Sequence, residues 1–170
     1  MKALQGSDYI LFFRKWANRT TESGARLYFQ TEHSIEKTKD NETTTTKDGT
    51  INTPGAVEGT VPITSVAYAN DDDTIELWEQ LEEWFDNGER IEVWEVNKAK
   101  KNTEGQYRAR YLQGTLTDFT QSAPSDGVSE LEMTFAIDQG GTKGYLELTA
   151  EQQEVAQYAF TDLDPVSPSV

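Results

Sequence analysis

The sequence predicts a mainly β protein: a sandwich or barrel of about seven to eight strands, one flanking α-helix over about 74–87, a short C-terminal helix and a long polar arm. Three observations lead there. Residues 128–138 alternate with period two, Leu131, Met133, Phe135 and Ile137 against Glu130, Glu132, Thr134 and Asp138. A single helical period, Leu77, Trp78, Leu81, Trp84 and Phe85, follows Asp71-Asp72-Asp73. Between them in character lies Phe29 to Gly59, long, polar and neither periodic nor apolar. At 170 residues the chain is read as one domain, with the arm at 30–58 and an extended tail at 161–170.

Tyr9 to Trp16 and Ala25 to His33 read as a β-hairpin around the polar turn 18–24. The arm that follows holds only Ile35 and Ile51 as aliphatic side chains between Glu32 and Pro54. Burying so little cannot offset an ordering cost of ~1–2 kcal/mol per residue, so the arm needs a partner outside its own subunit. Val57 to Tyr68 alternates, and Pro62 places it at an edge or a bulge. Asp73 is the expected helix cap with Glu76 as its capping-box partner, and Gly88 the expected stop. Ile91 to Val96 and Tyr107 to Thr120 are strands separated by a charged turn, with Gly114 a candidate bulge. A short strand over 144–148 leads to Thr149 and Gln152, a capping box opening a helix over 150–160.

Composition narrows the function. Thirty acidic against fifteen basic residues give a net charge of −15, which disfavours electrostatic capture of DNA or an anionic membrane. Without cysteine there is no disulfide, thiol nucleophile or zinc-thiolate site. The first sixteen residues lack the order of a signal peptide and the run 9–13 is too short to span a bilayer, so the chain reads as one folded in a cytosol. His33 is the sole histidine and reads as structural or solvated; no nucleophile elbow, phosphate loop or two-histidine metal pattern occurs, and no cofactor is expected. Asp71 to Asp73 read as a helix cap ahead of a cation site. Trp84, Trp94 and Tyr107 to Tyr111 read as core, with a sugar-binding face as the alternative. A glycosidase-like carboxylate pair is not singled out by the sequence.

Several short stretches in order, Phe29-Gln30-Thr31-Glu32, Thr46-Lys47-Asp48-Gly49-Thr50, Pro54-Gly55-Ala56, Glu92-Val93-Trp94-Glu95, Tyr111-Leu112-Gln113-Gly114, Thr134-Phe135-Ala136-Ile137 and Leu148 to Gln152 leading to Gln157-Tyr158-Ala159-Phe160, carry a family resemblance. After its first twenty residues the chain resembles the major tail proteins, the tail-tube subunits of long-tailed siphophages, of the lactococcal-phage type. The resemblance implies a non-enzymatic structural subunit, six to a ring, with sheets joined into a continuous barrel and rings stacked into a tube around a tape-measure protein. It implies contacts to tail terminator and distal tail proteins, passage of DNA through the lumen without specific binding, assembly in the host cytoplasm and a final place in the virion. The arm would then reach neighbouring subunits and the adjacent ring, through Thr31, Glu32, Lys37, Lys39, Thr46, Lys47, Asp48, Gly49 and Pro54. Glu130, Glu132 and Asp138 are read as a solvated outer face or, if their strand lines a channel, as an acidic lumen wall. The alternative function is a carbohydrate-binding β-sandwich module, and a weaker one a two-carboxylate hydrolase.

Overall fold

The computed structural model describes residues 1–149 and Gln152. Its strands are β1 (Tyr9–Lys15), β2 (Ala25–Arg26), β3 (Gln30–His33), β4 (Glu36–Thr46), β5 (Gly49–Val66), β6 (Ile91–Lys101), β7 (Tyr107–Ser122), β8 (Glu130–Ile137) and β9 (Thr142–Leu146), with one α-helix, α1 (Leu77–Asp86), between β5 and β6. All nine strands belong to one antiparallel sheet in the order β2-β1-β6-β7-β8-β5-β3, with β4 beside β5 and β9 beside β7.

The sheet curls on itself. Leu11 and Phe13 of β1 share a buried cluster with Val61 and Ile63 of β5, although these strands stand near opposite ends of the order. Leu131, Met133, Phe135 and Ile137 join them, as the alternation of β8 predicts, and α1 adds Leu77, Leu81 and Trp84. A smaller cluster, with Ile10, Phe12, Val96 and Tyr107, covers the other face of β1 and β6. The expected sandwich or barrel is thus a single curled sheet, open in its backbone pairing.

Three local expectations are corrected. Ala25 to His33 is not one strand: Phe29 takes φ +53°, and the chain leaves β1 after β2 to pair with β5 as β3. The helix begins at Leu77, with Glu76 rather than Asp73 at its N-cap. Asp72 instead accepts hydrogen bonds from the backbone N–H and the hydroxyl of Thr74, and Glu76 Oε1 accepts from Asn70 N at 2.9 Å. These short-range side-chain bonds compete with helical ones and delay the first turn. At the other end Gly88, at φ +62°, donates to Phe85 O and Glu89 to Trp84 O, the paired bonds of a Schellman stop.

The bulge expected at Gly114 lies instead between Leu116 and Asp118. Gly114 serves close approach: a Cβ there would stand 1.8 Å from the Ala136 carbonyl oxygen. Pro62, which has no N–H, sits in a strand paired on both sides, but β3 and β4 break beside it and its carbonyl accepts from Ser34 N at 3.2 Å. Thr149 and Gln152 form the predicted reciprocal cap, at 3.0 and 3.2 Å; the helix expected over 150–160 and the tail at 161–170 lie outside the described residues.

Candidate functional site

The arm is a paired β-ribbon. β4 runs antiparallel to the first half of β5 from Glu36↔Thr60 to Thr46↔Gly49. Eleven residues of strand at about 3.3 Å each carry it about 35 Å. Every residue of β4 is exposed, as is β5 from Gly49 to Ala56. Lys47 and Asp48 form the tip; Thr46 Oγ1 accepts from Asp48 N and donates to Gly49 O at 2.7 Å, and Gly49 takes φ +138°. Midway, between the pairs Lys39↔Val57 and Asn41↔Pro54, Asp40 faces both Gly55 and Ala56. A Cβ on Gly55 would lie 2.8 Å from Asp40 O, so the bulge excludes larger residues.

The sequence-predicted arm residues therefore divide. Thr31 and Glu32 belong to β3 in the body, where Thr31 Oγ1 donates to Thr64 O at 3.1 Å. Lys37 sits at the root and donates to Gly140 O. Lys39, Thr46, Lys47, Asp48, Gly49 and Pro54 lie on the free ribbon.

At that root the sheet forks. β8 ends at Ile137 opposite Gly59, residues 138–141 bulge away, and β9 continues along β7 instead of along the ribbon. Among the described residues β4 pairs only with β5, and β9 only with β7, which leaves long unpaired edges on both branches. Such edges are templates for further strands.

Where the ends of the sheet meet, side chains replace backbone pairing. Gln30 of β3 accepts from Leu11 N at 3.2 Å and donates to Leu11 O at 3.0 Å and Leu27 O at 2.8 Å. His33 Nε2 stands 2.8 Å from Glu95 Oε2 of β6, with both side chains largely buried. The lone histidine, read from the sequence as structural or solvated, is engaged at the seam, and Gln30 is a seam residue that sequence reasoning missed.

The acidic residues of β8 fall on one outer surface. Glu130 and Glu132 are exposed, opposite Val66 and Thr64 on one side and Ser122 and Thr120 on the other. Asp138 follows on the same side but is paired with Arg90 at 2.8 Å, so the unbalanced charge narrows to Glu130 and Glu132. No lysine or arginine occurs between Tyr111 and Thr142.

The aromatic residues considered for sugar binding are packed. Trp84 is in the core, Tyr107 is 1% exposed, and Trp94 packs against Arg14, 5.0 Å from its ring, and against Tyr111, tilted at 41° with 5.4 Å between centroids. Beside them Glu92, 3% exposed, receives Arg14 Nε at 2.6 Å, Arg14 Nη2 at 3.1 Å and the Tyr111 hydroxyl at 2.6 Å. Burial, then the Glu92 carboxylate, pushes the Tyr111 phenol up to about 12. Among the described residues no three His, Cys, Asp or Glu side chains converge, and no helix is long and apolar enough to cross a membrane.

This curled antiparallel sheet with its one helix has the fold of a phage tail tube. It is similar to the tail tube of SPP1, at a TM-score of 0.75 and 19% identity over 98% of this chain and 93% of that one. It is also similar to a chain from the tail of an empty gene transfer agent particle refined with sixfold symmetry, at 0.59 and 14% over 85% of this chain and all of that one. A chain of the sixfold-symmetrised anti-feeding prophage baseplate matches at 0.59 and 9% over 87% and 99%. A protein of Staphylococcus phage phiMR25 described as a tail protein is 26% identical over 92% of this chain and 81% of its own length. Residues 3–140 match the family described as phage tail tube protein, and the chain belongs to that family.

Proposed function

We propose that this subunit closes into sixfold rings that stack into a tail tube, enclose a tape-measure protein and conduct DNA into the host. The observation that carries the reading is the ribbon. An isolated two-stranded hairpin is marginal in water at best, and this one extends about 30 Å beyond its root with every β4 side chain exposed. It gains stability by laying its open edges against neighbouring subunits or the adjacent ring. Ring closure also removes the liability of the unpaired β9 edge.

The β5-β8-β7 surface suits the lumen. Thr64, Thr120, Glu130 and Glu132 present hydroxyls and carboxylates with no basic side chain among them, so a phosphate backbone is repelled and slides. Tail terminator and distal tail proteins would meet the two ends of the tube; assembly would take place in the host cytoplasm and end in the virion. The role is structural and needs no catalysis or cofactor. Negative-stain electron microscopy of the concentrated protein tests this: rings or tubes are expected, and a species that stays monomeric across protein and salt concentration contradicts it.

A further inference from the structure

The curled sheet leaves a gap where it meets itself. Between β3 on one side and β1, β6 and β7 on the other lies a cavity of about 750 Å³, the size of a small-molecule site. Its charged lining is Arg26, Lys98 and Arg110 with Glu32, Glu95 and His33. With the imidazole neutral, three cations face two carboxylates, in a chain whose net charge is −15.

The carboxylates do not settle this charge. The pairs Leu11↔Glu95 and Glu95↔Arg110 form one row across β1, β6 and β7, so Glu95 is the carboxylate beside Arg110. Its Oε2 is engaged at 2.8 Å with His33 Nε2, while its Oε1 stands 4.0 Å from Arg110 Nε, beyond hydrogen-bond reach. That Nε is buried and has no hydrogen-bond partner among the described residues. The pair Arg110↔Lys143 puts a second cation directly opposite on β9, an arrangement that costs free energy when nothing balances it. Lys98 makes no ion pair among the described residues, and burial pulls the Arg26 guanidinium below its ordinary range. A buried N–H on a charged group is costly to leave unpaired, and the space that Arg110 lines is this cavity.

We propose that this cavity binds the phosphoryl group of a small molecule, with Arg110 and Lys98 as its principal partners and Arg26 beside them. A tetrahedral oxyanion presents several acceptor oxygens on one centre, so it takes the Arg110 Nε–H and the Lys98 ammonium together, as the Glu95 carboxylate held by His33 does not. The chain's net charge repels a polyanion such as DNA, which restricts the occupant to a small molecule. Free phosphate and the phosphate of a nucleotide share this chemistry. Once bound, either ties β6 to β7 close to where Gln30 holds Leu11, and stabilises the closed curl increasingly as its concentration rises. The site stands independently of the tube reading.

Isothermal titration of the full chain with inorganic phosphate and, separately, with adenosine monophosphate tests it, at constant ionic strength and with circular dichroism on every variant. The parent is expected to bind at least one probe saturably, with a dissociation constant below about 1 mM. Arg110→Gln and Lys98→Gln are each expected to weaken binding about tenfold or more, the loss of one charge-assisted hydrogen bond. Arg90→Gln, whose guanidinium pairs with Asp138 and does not line the cavity, should bind as the parent does. Phosphate that binds as tightly as the nucleotide identifies the free anion as the occupant, and a tighter nucleotide identifies an organic phosphate. No saturable heat from either probe overturns the site. Equal weakening in Arg90→Gln also overturns it, since the binding would then report only the general charge of the chain. Should Arg110→Gln alter the spectrum, Lys98→Gln, which has no ion pair to lose among the described residues, decides alone.

Discussion

The carboxamide of Gln30 holds both backbone polar groups of Leu11, accepting from its N–H at 3.2 Å and donating to its C=O at 3.0 Å. One side chain thereby does what a ladder pair does between neighbouring strands, and it does so between β3 and β1, where the curled sheet meets itself. Gln30→Ala removes the side-chain partner of three part-buried backbone groups, Leu11 N–H, Leu11 C=O and Leu27 C=O, and is expected to cost about 1–3 kcal/mol in urea unfolding. An unchanged midpoint would mean that the seam is held without it.

Glu92 anchors the opposite face through Arg14 and Tyr111. Glu92→Gln breaks a pair in which the carboxylate is only 4% exposed, and Arg14 at 19% is partly solvated, so the loss should sit at the low end of the buried-pair range, about 3 kcal/mol. Thermal unfolding near neutral pH measures it.

The same network sets a pH dependence. Tyr111 holds its proton more tightly when folded, up to about 12 against an ordinary 10. Above the unfolded value the unfolded chain releases this proton first, so stability contributed by Tyr111 is complete below pH 10 and falls as pH rises towards 12. Tyr111→Phe is expected to flatten that part of the stability profile, measured by denaturant midpoints from pH 9 to 12.

Gly114→Ala places a methyl 1.8 Å from a backbone oxygen, which only main-chain movement can relieve. A loss above about 3 kcal/mol, or insoluble protein, is expected. Gly6→Ala, with open space around its Cβ, serves as the neutral control in the same melt.

Replacing Glu130 and Glu132 by Lys is expected to leave assembly intact and to slow DNA release from particles built with the variant. Both side chains are exposed on the outer side of β8 and lie away from the ribbon. DNA release triggered in vitro, followed by dye fluorescence, reads the effect.

Much of the fold was legible because burial and period coincide. The β8 alternation, the α1 stripe and the Gly88 stop all reflect local rules that the tertiary structure reinforces. The ribbon was harder. Its lack of apolar side chains suggested a loop, yet four consecutive threonines with the Asp48-Gly49 turn are β signals in their own right, and burial and propensity disagree there. The helix start was misplaced because Asp72 and Glu76 spend their carboxylates on Thr74 and Asn70. The seam was invisible in the sequence, since it depends on how far the sheet curls, a property of the whole sheet rather than of Gln30.

The central claim is that the ribbon joins one subunit to another. Because Thr38 pairs with Glu58, residues 39–57 can be replaced by Asn-Gly to close a short hairpin without disturbing the body's register. Electron microscopy of this variant beside the parent, with circular dichroism to show that both are folded, is the most direct measurement. Tubes from the parent and only folded, unstacked subunits from the variant are expected; tubes of equal length from both would contradict the account.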